Sequence, residues 1–163
     1  RPAEKPCTKL EGAILRGYRA ITIAGIRDPA AIASLDEIER GVRFAVRESA
    51  SFVREGDYSL RFLRYGLDAV TGKNEAPAAL PGEVGLLIEA VAPSQEQADA
   101  LLGLARAKAL HQGFPGRKAT AGNLAFPCSP SDFQCGAVYD FALYHLADLT
   151  PGFEMKLLSI PEA

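Results

Sequence analysis

Two segments of helical periodicity, each between segments that read as strands, set the fold of this 163-residue sequence. The first helix starts at Asp28-Pro29, an N-cap residue followed by a proline. The second starts at Ser94, where Gln97 completes a capping box. Apolar residues recur at spacings of three and four, so each helix faces a core with one stripe. The stripes comprise Ile32, Leu35, Ile38, Val42 and Val46, and Ala98, Leu101, Leu102, Ala105 and Ala109.

Four segments predict strands before and after these helices. They cover residues 10–26, 58–67, 83–92 and 136–149. The last is predicted to be a core strand, because Tyr139, Phe141 and Leu143 alternate with smaller or polar residues. The order β-α-β-β-α-β predicts an α+β fold, a ferredoxin-like sandwich with an antiparallel four-stranded sheet and both helices on one face. Right-handed crossovers leave few other compact topologies.

Composition excludes several classes of protein. Apolar residues make up 48% and charged residues 23% of the chain, as in ordinary globular domains. A formal net charge of −2 argues against nucleic-acid binding, since the chain has no excess of cations to neutralise phosphates. No apolar run approaches the roughly 20 residues that a membrane span needs, so no membrane association is expected.

The cysteines and histidines indicate neither a disulfide framework nor a metal site. Three cysteines without CxxC spacing favour a reducing, cytoplasmic setting. The two histidines lack HxH or ExxH spacing, so no metal and no cofactor is implied.

Residues 1–9 are polar and contain two prolines, which is typical of a linker-like tail. Residues 10–163 are therefore expected to form a single domain, which is part of a longer polypeptide.

Residues 111–136 have neither helical nor strand periodicity and contain four glycines and three prolines. The resulting connection between the second helix and the fourth strand is about 20 residues long, well above the usual length. Its apolar residues Phe114, Leu124, Phe126 and Phe133 are expected to anchor it to the body of the domain. We therefore predict an ordered loop across one end of the sheet.

The polar side chains of this loop are the candidate ligand-binding residues. They are His111, Arg117, Lys118, Thr120, Asn123, Ser129, Ser131 and Asp132. An Arg–Lys pair among glycines suits a small anionic ligand with a carboxylate or phosphate group. Turn formation by the serines, capping by Asp132 and a local ion pair of Arg117 explain the same residues without a ligand. Both interpretations stay open.

No catalytic residue is assigned. Cys128 and His111 would make a thiol–imidazole pair only if they were close in space. Ser129 and Ser131 lack the GxSxG context of a nucleophile elbow, and "GFPGRKATAG" lacks the context of a P-loop. His145 shares a strand face with Tyr139 and is read as a packing residue.

Two phrases, "LEGAILRGYRAITIAGIRDP" and "HQGFPGRKATAGNLAFPCSPSD" with "GAVYDFALYHL", resemble the C-terminal region of the acyclic terpene utilisation (AtuA-like) family. The family consists of mostly uncharacterised bacterial and fungal proteins. The resemblance implies a larger N-terminal domain before Arg1 and a link to catabolism of branched or acyclic carboxylic acids and their CoA esters. It carries over no catalytic residue, and Cys128 stands where a bulky apolar residue is expected.

Three functions follow as hypotheses. The first is a C-terminal module that assembles subunits into a homo-oligomer, or completes a carboxylate or acyl-CoA site with the N-terminal domain of the same polypeptide. The second is a catalytic domain acting on a small carboxylate or acyl-CoA. There Arg117 and Lys118 would hold the anion, Asn123, Ser129 and Ser131 would orient it, and His111 or Asp132 would move protons. The third is a small-metabolite sensor without turnover.

Overall fold

The structure, a computed structural model, describes residues 7–73, 79–118 and 122–148. Over these described residues it is an α+β fold with three helices and one four-stranded antiparallel sheet, in which the strands lie in the order β2-β3-β1-β4. The elements are β1 (Cys7–Ile26), α1 (Pro29–Ala33), α2 (Leu35–Ser49), β2 (Ser59–Tyr65), β3 (Val84–Ala92), α3 (Gln95–His111) and β4 (Asp132–Asp148).

Several predicted features extend outside the described residues. They include residues 1–6 of the predicted tail, residues 119–121 of the predicted loop with Thr120 of the candidate set, residue 149 of the predicted fourth strand, and residues 74–78 and 149–163 of the predicted domain. The rest of the predicted tail, Cys7–Lys9, belongs to β1. The first strand is therefore longer at its start than the sequence indicates.

The chain divides into two compact units. The larger contains Leu15–Val138. The smaller contains Arg1–Ile14 and Tyr139–Ala163, of which Cys7–Ile14 and Tyr139–Asp148 are described. Those two described segments belong to β1 and β4, and we call them the ribbon.

The predicted first helix is two helices, α1 and α2. Its start is as predicted: the Ala30 amide donates to Asp28 Oδ1 at 2.9 Å, and Pro29 follows the cap. The Ser34 amide then donates to the carbonyls of Ala30 and Ala31, each at 3.1 Å, which tightens the last turn of α1. The break leaves the apolar stripe intact, because all five of its predicted residues are buried.

The second predicted helix is confirmed as α3. The Gln97 amide donates to Ser94 Oγ at 3.2 Å, as a capping box requires. The five predicted stripe residues are all at most 1% exposed. The stripe packs against β3 and α2.

β3 lies at the centre of the larger unit, between β1 and β2. Its register runs from Tyr18↔Ala92 to Ile26↔Val84 with β1, and from Ser59↔Val91 to Tyr65↔Gly85 with β2. One face of the sheet is buried with the helices in a single core. That face carries Ala20, Thr22, Ala24 and Ile26 of β1, Leu60 of β2, and Val84, Leu86, Ile88 and Ala90 of β3.

β1 passes close to β3 at Gly17, where only glycine fits. The φ of Gly17 is +142°, and a Cβ added there would lie 2.3 Å from the carbonyl oxygen of Ala92. A side chain would therefore be strained by its backbone angle and would also collide with the neighbouring strand.

The fourth strand departs from prediction in two ways. β4 begins at Asp132, four residues before the predicted start at 136, so Asp132 is a strand residue. The strand is also not a core strand, because Tyr139, Phe141 and Leu143 are exposed. His145 is exposed too, so its interpretation as a packing residue is wrong. In the described part of the smaller unit there are only two strand segments and no helix, hence no second layer to bury these side chains.

Candidate functional site

One group of predicted binding residues lies at the C-terminal end of α3. Arg117 Nη1 donates to the carbonyl of His111 at 2.7 Å. Asn123 donates its amide N–H to Leu110 O at 3.1 Å and its side-chain Nδ2 to Gln112 O at 3.2 Å. Carbonyls at a helix C-terminus have no partner within the helix, so these bonds satisfy them. Arg117 and Asn123 thus bind backbone of their own chain.

A hollow of about 440 Å³ opens beside this helix end. Its lining residues are Ala107, Lys108, His111, Gln112 and Gly113. His111 is therefore the one predicted residue that lines it.

A second group lies where the loop joins β4. Ser131 Oγ donates to Asp132 Oδ1 at 3.1 Å, and Arg106 Nε lies 2.7 Å from the same oxygen. The Ser131 carbonyl accepts a hydrogen bond of 2.8 Å from Thr22 Oγ1. The carboxylate of Asp132 is therefore neutralised by Arg106 of α3, which the sequence analysis did not single out.

The other two predicted residues, Lys118 and Ser129, are exposed. Neither has a hydrogen bond or ion pair with either group among the described residues. The structure thus places the seven described candidates at several points along α3, the loop and the start of β4, and their role in ligand binding stays a prediction.

Part of the loop folds back on the larger unit. Gly25 and Ala125 exchange backbone hydrogen bonds of 2.8 and 2.9 Å. Of the four predicted anchors, Phe114 is buried and Leu124 packs against the core, whereas Phe126 is half-buried and Phe133 is exposed in β4. The Phe126 ring lies 5.9 Å from the Arg106 guanidinium carbon.

A buried arginine connects the start of α2 to the turn after β2. The Arg64 side chain is 7% exposed, pairs with Asp68, and lies 2.8 Å from Asp36 Oδ1. Hydrogen bonding to Asp68 raises the pKa of Arg64, so the guanidinium stays charged. A hydrogen bond from Lys73, at 3.0 Å, and the pairing with Arg64 lower the pKa of Asp36. This network has a structural role.

A second network covers Glu89 on the face of the sheet away from the helices. Arg19 Nε lies 2.9 Å and Arg61 Nη1 3.2 Å from its carboxylate oxygens. The register explains the pair, since Arg61 lies directly across from Glu89 on β2. Arg19 and Arg61 therefore both neutralise the buried carboxylate of Glu89.

The ribbon has many large apolar side chains exposed to solvent. Large apolar side chains there are at least 38% exposed: Leu10, Ile14, Tyr139, Phe141, Leu143, Tyr144 and Leu146. The rings of Phe141 and Tyr144 lie 6.3 Å apart, and Lys9 Nζ lies 4.9 Å from the Tyr144 ring centroid. Isolated exposed apolar residues are ordinary, whereas this group is concentrated in two neighbouring strand segments.

Two recognisable features, a metal-ligand cluster and a membrane-spanning helix, can be checked directly in the described residues. In the described parts of the chain, no three His, Cys, Asp or Glu side chains group as metal ligands, and no helix has the length and apolarity to cross a membrane. Comparison with protein-family models, curated proteins and solved structures finds no match. The inference of function therefore depends on the geometry of this chain.

Proposed function

We propose that this chain is a non-catalytic assembly module, in which the ribbon of one copy pairs with the ribbon of a second copy. The observation that carries the proposal is the exposure of Tyr139, Phe141, Leu143, Tyr144 and Leu146 within eight residues of one strand. Burying such side chains against a partner is favourable in proportion to the apolar area removed from water.

The position of β4 in the sheet supports pairing by its backbone. β4 is an edge strand with β1 as its one neighbour among the described strands. Natural edge strands are usually short, or carry lysine or proline that blocks a further strand. β4 runs for 17 residues and contains neither. It therefore presents a long row of backbone donors and acceptors for a partner strand.

A second copy of this chain fits that edge better than an unrelated partner. An antiparallel pair of identical strands is self-complementary, since one two-fold axis satisfies both edges at once. A two-stranded ribbon is marginal in water, and about three or more strands are needed for independent stability. Two paired ribbons would form four strands.

The test is the mass of the chain in solution. Sedimentation velocity or light scattering over a range of concentrations should find a dimer, and Phe141→Glu should raise the dimer Kd by at least about tenfold. Phe52→Glu is the matched control, because Phe52 is 44% exposed and lies outside the ribbon. A monomer at every concentration, or a dimer indifferent to Phe141→Glu, would contradict the proposal.

We also propose that the larger unit has a ferredoxin-like arrangement. The strand order β2-β3-β1-β4 and the helices that follow β1 and β3 support it. The resemblance to the AtuA-like family stays a proposal, and with it a role in catabolism, a site shared with an N-terminal domain, and a catalytic or sensor function.

A reducing, cytoplasmic location is also a proposal. Its support is that Cys7, Cys128 and Cys135 are all free and exposed. Exposed free thiols persist in reducing compartments and oxidise elsewhere.

A further inference from the structure

A shallow cleft beside α2 combines arginines with aromatic rings. Its volume is about 360 Å³, and its lining residues are Arg40, Arg43, Phe44, Arg47 and Tyr58. A neighbouring hollow of about 300 Å³ shares Arg43 and Tyr58 with it. We call the first of these the basic–aromatic cleft.

The helical spacing explains why these side chains meet. Arg40, Phe44 and Arg47 are four and three residues apart, so they lie on one side of α2, away from its buried stripe. The Phe44 ring is 60% exposed, and the Arg47 guanidinium carbon lies 5.7 Å from its centroid. Phe44, in the middle of α2, is therefore exposed to solvent with the guanidinium of Arg47 beside its ring.

The three arginines differ in how fully they are neutralised. Arg43 donates to Glu39 Oε1 through Nε and Nη2, at 3.0 and 2.8 Å, and to Leu60 O through Nη1 at 2.8 Å. It is therefore part of the wall of the cleft.

The positive charges of Arg40 and Arg47 are neutralised much less than that of Arg43. Arg47 lies 3.8 Å from Glu48 and 4.0 Å from Glu55, both well exposed, and such surface pairs are weak. Arg40 has no hydrogen bond or ion pair with any residue that the structure describes. Two guanidinium groups therefore flank the Phe44 ring with little or no compensating negative charge.

We propose that the basic–aromatic cleft binds a small organic anion with a flat ring, of the size of a mononucleotide. Arg40 and Arg47 bind the phosphate, because a guanidinium matches its oxygens in a bidentate geometry. Phe44 and Tyr58 contact the ring, since aromatic side chains stack on any flat heterocycle. The volume lies near the lower end of the range for small-molecule sites, about 300–1,000 Å³.

Charge argues for a small ligand over a polymer. The net charge of −2 disfavours a nucleic-acid strand. Glu55 lines the neighbouring hollow and would repel an acidic peptide that continued out of the cleft. A compact anion between Arg40 and Arg47 avoids the first obstacle and competes only with the weak, exposed Arg47–Glu55 pair of 4.0 Å.

The experiment is a calorimetric titration of the full chain with AMP, adenosine and inorganic phosphate. AMP should bind, and adenosine and phosphate should each bind at least about tenfold more weakly, because each lacks one half of the recognised group. Arg40→Gln and Phe44→Ala should each weaken AMP binding by about five- to tenfold. Both residues are exposed, and an unchanged melting temperature verifies that the variants fold.

Arg27→Gln and Phe52→Ala are the matched controls, because both residues are exposed and neither lines the cleft. Both should bind AMP like the unmodified chain, as should Phe141→Glu, since AMP binding does not depend on ribbon pairing. The proposal is overturned by no AMP binding up to about 10 mM, by an equal loss in Arg27→Gln, or by tighter binding of an acidic peptide.

Discussion

β3 and the ribbon segment Tyr139–Asp148 are both strand segments rich in apolar residues, but their environments are opposite. Apolar residues recur at every second position from Val84 to Ile88 in β3 and from Tyr139 to Leu143 in the ribbon. In β3, Val84, Leu86 and Ile88 are at most 2% exposed, whereas Tyr139 and Phe141 are more than 60% exposed. β3 has a strand on each side and packs against α3, while β4 is an edge strand. Alternation predicts that a strand face suits burial, but it does not identify what covers that face.

The strongest test of this contrast is one substitution made in each environment. Leu101→Ala removes a fully buried side chain of α3 and should lower the free energy of unfolding by about 2–5 kcal/mol. Leu146→Ala, the same change at a residue 59% exposed, should cost at most about 0.5 kcal/mol in the dilute chain. Urea denaturation at low protein concentration measures both. If both substitutions lowered the free energy of unfolding by similar amounts, Leu146 would be buried in solution within a single copy of the chain.

A second test compares the two edges of the sheet. Tyr144 on β4 and Tyr65 on β2 are both at least half exposed. If copies pair through β4, Tyr144→Ala should raise the dimer Kd by about tenfold and Tyr65→Ala should leave it unchanged, because truncating a central aromatic residue removes buried contact area. Sedimentation equilibrium measures both constants. The reverse pattern would assign the interface to β2.

A smaller effect is expected where β4 begins. Thr22 is 1% exposed and donates to the Ser131 carbonyl. Thr22→Val keeps the shape and removes the donor, so it should cost about 1 kcal/mol of stability. Thr71→Val, at an exposed turn residue, is the control and should be neutral. No loss in Thr22→Val would show that this hydrogen bond does not help to hold the start of β4.

The smallest effect concerns the Arg64 network of the larger unit. The lowered pKa of Asp36 means that folding favours its charged form, so its contribution is present above pH 3.8 and is lost as pH falls through the lowered pKa. Because Asp36 is well exposed, Asp36→Asn should cost about 0.5 kcal/mol at pH 7 and clearly less at about pH 2. Urea midpoints at both pH values test this. Glu37→Gln controls for the lost charge, and a difference that persists undiminished at low pH would contradict the assignment.

Much of the fold was predictable because its signals are local. Asp28 and Ser94 cap helices through side chains that bind amides two and three residues further along the chain. The break at Ser34 was not predicted, because the apolar stripe continues through it. The sequence also did not indicate which face of β1 is buried. The buried face carries Thr22 and small alanines, whereas the larger Ile23, on the other face, is 42% exposed.

Less of the candidate site was predictable. The loop composition identified Arg117 and Asp132 as candidate binding residues, but it did not indicate which groups they contact. Arg117 binds a carbonyl six residues away, and Asp132 pairs with Arg106 on a different element. The basic–aromatic cleft was missed because Arg40 and Arg47 fit an ordinary solvated helix face. The one available signal was Phe44, an aromatic residue off the apolar stripe.

By itself the sequence determined the order and type of the main helices and strands and which helical stripes are buried, because caps and periodicity act within a few residues of the chain. The tertiary structure alone decided which strand became an edge, which arginines were neutralised and which apolar residues stayed in water. Those outcomes depend on groups that are distant in sequence, and their energies exist only once the elements have packed.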